Sequence, residues 1–229
     1  MVNSSSLSGF LRYLAANGQR LGGRLPPLSK ISSELGVSVA SLREQLEVAR
    51  SLGLIDVKPK TGIRVLPYSF RPSVSRSLYY AIEVNSEYFY SYSNLRKHIE
   101  TSYWYEATAL LQQEDLQKLL LLIQKAKEKL DQQPIQIPHQ EHRDLHLTIY
   151  NQLSNPFVLG ILEAYWEVYE AIGLSIYTDY EYLKEVWCYH EKMVNAVNEG
   201  DYSGGYRYLR DHMDLLNKRS GSKTIQYFE

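Results

Sequence analysis

From residue 87 onward the apolar residues of this chain recur at intervals of three and four, and no segment shows the alternation of a half-buried strand. Helices are expected at about 87–111 and at 114–132, the second with Leu116, Leu119, Leu120, Ile123 and Leu130 inward. Pro134 and Pro138 break the pattern, and a third helix is expected at about 139–153. Asn155-Pro156 then caps a fourth, with Phe157, Ile161, Tyr165 and Ile172 along it. Two more, at about 179–199 and 202–218, are divided by Gly200-Asp201, a C-capping glycine followed by an N-capping aspartate. Such a chain can bury its stripes only by packing helix on helix, so an antiparallel all-α bundle is expected over 87–219, with a loose tail at 220–229.

The first 68 residues read differently. They carry nine Lys/Arg against four acids, net +5, while the other 161 residues carry 16 against 22, net −6. A small basic head on an acidic body points to a polyanion as the partner of the head. Residues 67–86, with two prolines, five serines and no sustained period, mark the boundary, so 69–86 is read as a linker.

Within the head, Leu7, Phe10, Leu11 and Leu14 form one face of a first helix ending near Asn17-Gly18, followed by a loop from Leu21 to Pro27. A short second helix spans about Ser29 to Leu35. Gly36 turns the chain, and Ser38 is placed to cap a third helix running to about Ser51, with Val39, Leu42, Leu46 and Ala49 inward. Ser38, Ser41, Arg43, Gln45 and Arg50 lie toward its other sides. Two helices across a glycine turn are the geometry that lays a helix in the major groove of DNA. Gly53–Val57 and Ile63–Leu66 then read as two β segments around the turn Lys58–Gly62, a wing able to lie against phosphate. Lys30, Lys58, Lys60 and Arg64 are candidate backbone contacts, and Arg43 is the candidate reader of a base edge. The alternative is a three-helix module with a solvated basic face.

All six histidines fall in the acidic body. His142 and His146, four apart, share one helix face. His190 is in register with Val186, Met193, Val194 and Val197, and His212 with Tyr208, Leu209, Leu215 and Leu216, so both face inward. Three helices turning imidazoles toward one interior is what a bundle-core metal site requires, and imidazole suits zinc or nickel better than calcium or magnesium. The competing reading is separate buried histidines bonded to carbonyls or tyrosines. His98 and His139 read as surface or edge residues.

Other classes find less support. A hydrophobic content of 44% with 22% charged residues excludes a disordered chain, and no apolar run approaches the roughly 20 residues of a membrane span. The start has no signal-peptide pattern, and a lone cysteine, Cys188, cannot form an internal disulfide, so a reducing cytoplasm is expected. An enzyme would need a recognisable constellation. His190-Glu191 opens an HExxH pattern, but Val194 stands where the second histidine belongs, and no P-loop or nucleophile elbow is present. A purely structural metal site is a third possibility. Twenty tyrosines against five phenylalanines is a bias the sequence does not explain.

Leu25-Pro26-Pro27, Leu35-Gly36-Val37-Ser38, Leu42-Arg43-Glu44, Gly53-Leu54-Ile55 and Gly62-Ile63-Arg64-Val65 resemble the winged helix-turn-helix of the GntR family of bacterial transcription regulators, over about residues 6–67. Ser29 and Val39 stand where family members usually carry arginines, whereas Arg43 matches the remaining recognition-helix arginine. The body resembles the all-helical ligand-binding domain (FCD type) of the FadR-like branch over about 87–215. Leu95-Arg96 with Glu100, Leu145-His146, Asn155-Pro156, His190 through Ala196, Gly200-Asp201 and His212 carry that likeness. The resemblance implies a DNA-binding homodimer that senses a small effector. Metal-binding members use an aspartate and a histidine four apart plus two later histidines. His146, His190 and His212 fall on the histidine positions, and His142 replaces the aspartate. The resemblance also implies that Arg96, with Asn155, faces the effector, a small anion such as a carboxylate. The alternative for Arg96 is a surface ion pair with Glu100. Four neutral imidazoles around a dication would leave a net positive site, which favours an anion as an added ligand.

Overall fold

The computed structural model describes residues 6–18, 23–59, 62–173 and 180–220, the side chains at 172–173 and 216–220 excepted. Lys60, part of the loop from Leu21, the tail from 221 to 229, and the stripe positions Ile172 and Leu216 therefore lie outside the described residues. The chain divides into two compact units, Met1–Arg76 and Ser77–Glu229.

The first unit holds α1 (Gly9–Asn17), α2 (Leu28–Leu35), α3 (Val39–Ser51), β1 (Ile55–Lys58) and β2 (Gly62–Val65). Ser8 and Ser38 cap α1 and α3 by accepting from Leu11 N and Ser41 N. Gly36, at φ 66°, takes the left-handed conformation that ends α2 and turns the chain into α3. Phe10, Ile31, Leu42, Leu46, Ala49, Ile55 and Ile63 form one apolar cluster. Gln45 is half-buried and ties the helices together, its Oε1 accepting from Phe10 N at 2.9 Å and its Nε2 donating to Ser41 Oγ at 3.3 Å. The two strands pair antiparallel from Ile55↔Val65 to Lys58↔Gly62. The free edge of β2 is covered by the 23–25 segment, through Leu25 N to Ile63 O (2.9 Å) and Val65 N to Gly23 O (2.7 Å).

Residues 71–84, in the stretch read from sequence as linker, form a helix, α4 (Arg71–Val84). Its inward face is Ser75, Leu78 and the partly buried Ile82, a helical stripe diluted by serine and tyrosine below the level that periodicity detects.

The second unit continues with α5 (Tyr88–Ala109), α6 (Gln113–Leu130), α7 (His139–Tyr150), α8 (Pro156–Gly173), α9 (Tyr180–Asn198) and α10 (Tyr202–Ser220). Helix α5 packs on α7, α8 and α10, while α6 packs on α7 and α9, and α9 on α10. Two stripe positions differ from expectation. Leu120 is exposed and Leu122 is buried in its place, because the unbroken apolar run Leu119–Ile123 does not fix the phase of α6. Phe157 is exposed too: α8 is apolar around most of its circumference and buries Val158, Leu162, Tyr165, Trp166 and Tyr169. No described helix is long and apolar enough to cross a membrane.

Gly53 closes the α3–β1 turn at φ 72°, and a Cβ there would stand 2.4 Å from Pro72 Cγ. Gly53→Ala therefore combines left-handed strain with a clash, and should destabilise the head by about 1–3 kcal/mol. Hydrogen exchange should show it as faster exchange of the β1 and β2 amides, with the amides of α6 and α9 unchanged.

Candidate metal centre and nucleic-acid face

Helix α7 presents His142 and His146 four residues apart, α9 presents His190 and α10 presents His212, so three helices aim imidazoles at one point. One nitrogen from each of the four can be chosen so that all lie within 4.8 Å of one another. His146, His190 and His212 are buried, and His142 is half-buried. The rings meet at centroid separations from 4.4 Å (His190–His212) to 6.4 Å (His142–His212).

Hydrogen bonding orients two of the rings. His146 Nδ1 is 2.9 Å from Glu100 Oε2, and Arg96 Nη2 lies 3.0 Å from Nδ1 and 3.2 Å from Nε2; with the Nδ1 proton toward the carboxylate, Nε2 keeps the lone pair, which Arg96 also reaches. His212 Nδ1 donates in the same way to Leu209 O at 2.8 Å, which frees its Nε2. His146 Nε2 then lies 3.1 Å from His190 Nε2. A carboxylate or carbonyl behind a ring, orienting its other nitrogen inward, is the usual support of a metal-ligating histidine.

The residues fit a transition-metal ion on two observations. His142 Nε2 is buried with no hydrogen-bond partner, a cost that ligation of this ring would offset. The 3.1 Å gap between His146 and His190 is close to the ~3.3 Å between nitrogens held tetrahedrally at ~2.0–2.1 Å from one ion. Nitrogens sharing an ion stand at most about 4.2 Å apart, so the cluster would contract by roughly half an ångström.

Arg96 and Glu100 form an ion pair, but inside the protein rather than on its surface, with Arg96 6% and Glu100 0% exposed. Arg96 Nε donates to Oε1 at 2.6 Å and Nη2 to Oε2 at 3.3 Å, and the guanidinium lies 4.5 Å from the ring centroids of both Tyr165 and Trp166. Burial disfavours the charge on Arg96, but the Glu100 carboxylate more than offsets it and holds the group cationic. Burial pushes the Glu100 carboxyl up against the opposing pull of Arg96. All four imidazoles are held well below their ordinary pKa, first by burial and then by neighbouring positive groups, Arg96 among them. They are neutral at pH 7, the form that ligates.

A cavity of about 30 Å³ adjoins His142 and His212, bounded also by Arg96, Lys97, Tyr165 and Tyr169. Asn155 does not line it. Its carboxamide caps α8 instead, Oδ1 accepting from Phe157 N and Val158 N. Tyr165, Trp166 and Tyr169, which wall the centre, were not singled out as site residues in the sequence; their four-residue spacing (165, 169) was the available signal. His98 is exposed, whereas His139 is half-buried with Nε2 wholly enclosed and unpartnered.

In the first unit Arg43 is exposed on α3 and Lys30 on α2. Ser38 Oγ is engaged as the α3 cap, and Ser41 Oγ accepts from Gln45. On the hairpin, Arg64 is exposed opposite Asp56, and Lys58 pairs with Asp56 at 3.1 Å.

Residues 92–215 match the FCD domain family. Among solved structures, Streptococcus agalactiae GntR is similar at 14% identity and TM-score 0.64, over 91% of this chain and 96% of that one. Lar of Listeria monocytogenes, described as controlling expression of the agr system, is similar at 13% identity and TM-score 0.52, over 88% of each chain. Escherichia coli McbR/YncC aligns at 21% identity and TM-score 0.46, over 86% and 89%. No curated protein matches.

Two outcomes follow from the buried charges. Arg96→Ala strands the Glu100 carboxylate in the core and should cost about 3–5 kcal/mol, whereas replacing both residues by methionine should cost far less. Denaturant unfolding of the two variants measures the difference. The second outcome concerns acid. Unfolded imidazoles titrate near ~6.5, and the folded values are lower, so below ~6.5 the unfolded chain takes up protons that the folded chain refuses. Stability of the metal-free protein should fall as pH drops through this window, and a melting temperature equal at pH 7.5 and 5.5 would contradict burial of neutral rings.

Proposed function

The chain belongs to the GntR family of transcription regulators, in the branch with an FCD domain, and from that premise we propose that it is a cytoplasmic, homodimeric repressor or activator whose FCD domain senses a small anion at a four-histidine metal centre. The family is one of regulators and not of enzymes. The observation that carries the sensory reading is the small cavity between two of the histidines and two cations, Arg96 and Lys97.

When bound, a zinc or nickel ion would supply a Lewis-acidic centre of net positive charge, since all four ligands are neutral. His142, His146, His190 and His212 would hold it, Glu100 and Leu209 O orienting two of the rings. Arg96 offers a second cationic contact to an anion in the cavity, and in doing so would share its guanidinium with Glu100. The ring walls of Tyr165 and Trp166 keep that guanidinium facing the site. A volume of about 30 Å³ admits only a few heavy atoms, which favours a short carboxylate or an inorganic oxyanion.

On the DNA side, Arg43 would read a base edge while Lys30, Lys58, Lys60 and Arg64 contact phosphate, with Ser38 and Ser41 at the N-terminus of the recognition helix. Val39, in place of the usual family arginine, cannot hydrogen-bond a guanine edge, so the operator should differ from the family's common one.

Three measurements test this. Protein purified without chelators or a histidine tag should contain one zinc or nickel per chain after incubation with the metal, and His146→Ala should abolish tight binding. A chain that stays metal-free would return the histidines to plain core packing. Arg43→Ala should weaken operator binding by roughly 1–3 kcal/mol and relax one position of the site, with wild-type affinity falling steeply as salt rises. Metal-loaded protein should gain melting temperature from a panel of short organic acids and oxyanions, and no shift across the panel would remove the anion-sensing role.

A further inference from the structure

His142 has two cavities beside it. The larger carries Arg96 and Lys97 on its wall. The other, about 10 Å³, is lined by Pro138, His139, His142, Tyr182 and Trp187 and by no lysine or arginine. Tyr169, Tyr182 and Val186 line both, so the two meet His142 from neighbouring directions.

His139 stands at the start of α7, one turn before His142, at a spacing that puts the two side chains on one helix face. The imidazoles grade inward from the half-buried His139 and His142 to the buried His146, His190 and His212. His139 Nε2 is enclosed with no hydrogen-bond partner. Burial and the nearby Lys129 hold the ring below its ordinary pKa, against the pull of Glu170 and Glu141.

We propose that His139 is a transient metal ligand on the route by which a divalent cation reaches the four-histidine centre, and that the anion enters by the separate cavity under Arg96 and Lys97. The inference rests on the metal-binding reading above. A dication entering by the larger cavity would meet two positive groups on its wall, Arg96 paired with Glu100 and Lys97 with Asp214, whereas the His139 cavity offers an unpartnered imidazole nitrogen and no cation on its wall, the nearby Lys129 being paired with Glu141 at 2.7 Å. One-turn spacing allows hand-over without a fully dissociated ion, since His142 can take the metal as His139 releases it. Because His139 is not one of the four resident ligands, it lowers the barrier in both directions and leaves the equilibrium unchanged.

Cobalt(II) is the probe, added to the chelator-treated full-length chain and followed by its visible absorbance in stopped flow. His139→Ala and the size-retaining His139→Gln should each slow association by about tenfold, the low end of what local pre-concentration supplies. Dissociation into excess chelator should slow by the same factor, so that Kd is unchanged. His98→Ala, on an exposed ring, should match wild type. One-to-one binding by both His139 variants at wild-type rates would overturn the relay while leaving the metal centre standing. So would a weaker Kd with unaltered association. A wild-type chain that binds no cobalt overturns the metal reading and the relay together.

Discussion

The ion pair of Arg96 and Glu100 is the constraint around which the acidic body is arranged. A guanidinium and a carboxylate taken out of water cost several kcal/mol each, repaid only where every remaining donor and acceptor is met. Glu100 accepts two bonds from Arg96 and a third from His146, and its backbone carbonyl takes the hydroxyl of Tyr150 at 2.9 Å. Arg96 spreads its flat face between Tyr165 and Trp166. Helices α5, α7 and α8 are thereby held in one register, and His146 is held between Glu100 on Nδ1 and His190 on Nε2. The same pair touches the imidazole cluster through His146, so the charge state of the centre and the packing of the bundle are one problem.

Much of the architecture was legible because several elements carry their own punctuation. Ser38 before Val39, Gly36 after Leu35, Asn155-Pro156 and Gly200-Asp201 mark helix ends by side-chain capping and left-handed backbone, which are local effects. The histidines were legible because their helices have one polar and one apolar side, so register alone turned His190 and His212 inward. Helix α8 lacks that contrast. With apolar residues on nearly every side, periodicity could not say that Phe157 faces water while Trp166 walls the centre. The alternative reading of Arg96, a surface pair with Glu100, fails for a related reason: a charged pair four residues apart looks like an exposed helix pair, and only tertiary packing buries it. Asn155 shows the reverse, a residue whose local capping role accounts for it without any ligand.

The resemblance places an aspartate where this chain has His142, and the surroundings of that ring suit an imidazole. His142 packs against Trp166 and Tyr169 at centroid separations of 4.6 and 5.6 Å, and against His190 at 4.6 Å. A neutral imidazole can present an edge to the same rings. The tyrosine excess acquires a partial account as well: Tyr79, Tyr92 and Tyr150 each donate a hydroxyl to a helical carbonyl, at Glu167, Ile161 and Glu100, a contact that phenylalanine cannot make.

Two indoles lie against the imidazole cluster, Trp166 at 4.6 Å from His142 and 5.0 Å from His146, and Trp187 at 5.0 Å from His190. An excited indole is quenched by a protonated imidazole and by an open-shell ion within contact range, and much less by a neutral ring or a closed-shell one. The emission of these two residues is thus coupled to the state of the centre, with Trp104 enclosed on the far part of α5 as an internal reference bonded to Tyr202 O. The protein carries its own optical gauge, one that would tell an open-shell ion at the centre from a closed-shell one without a label.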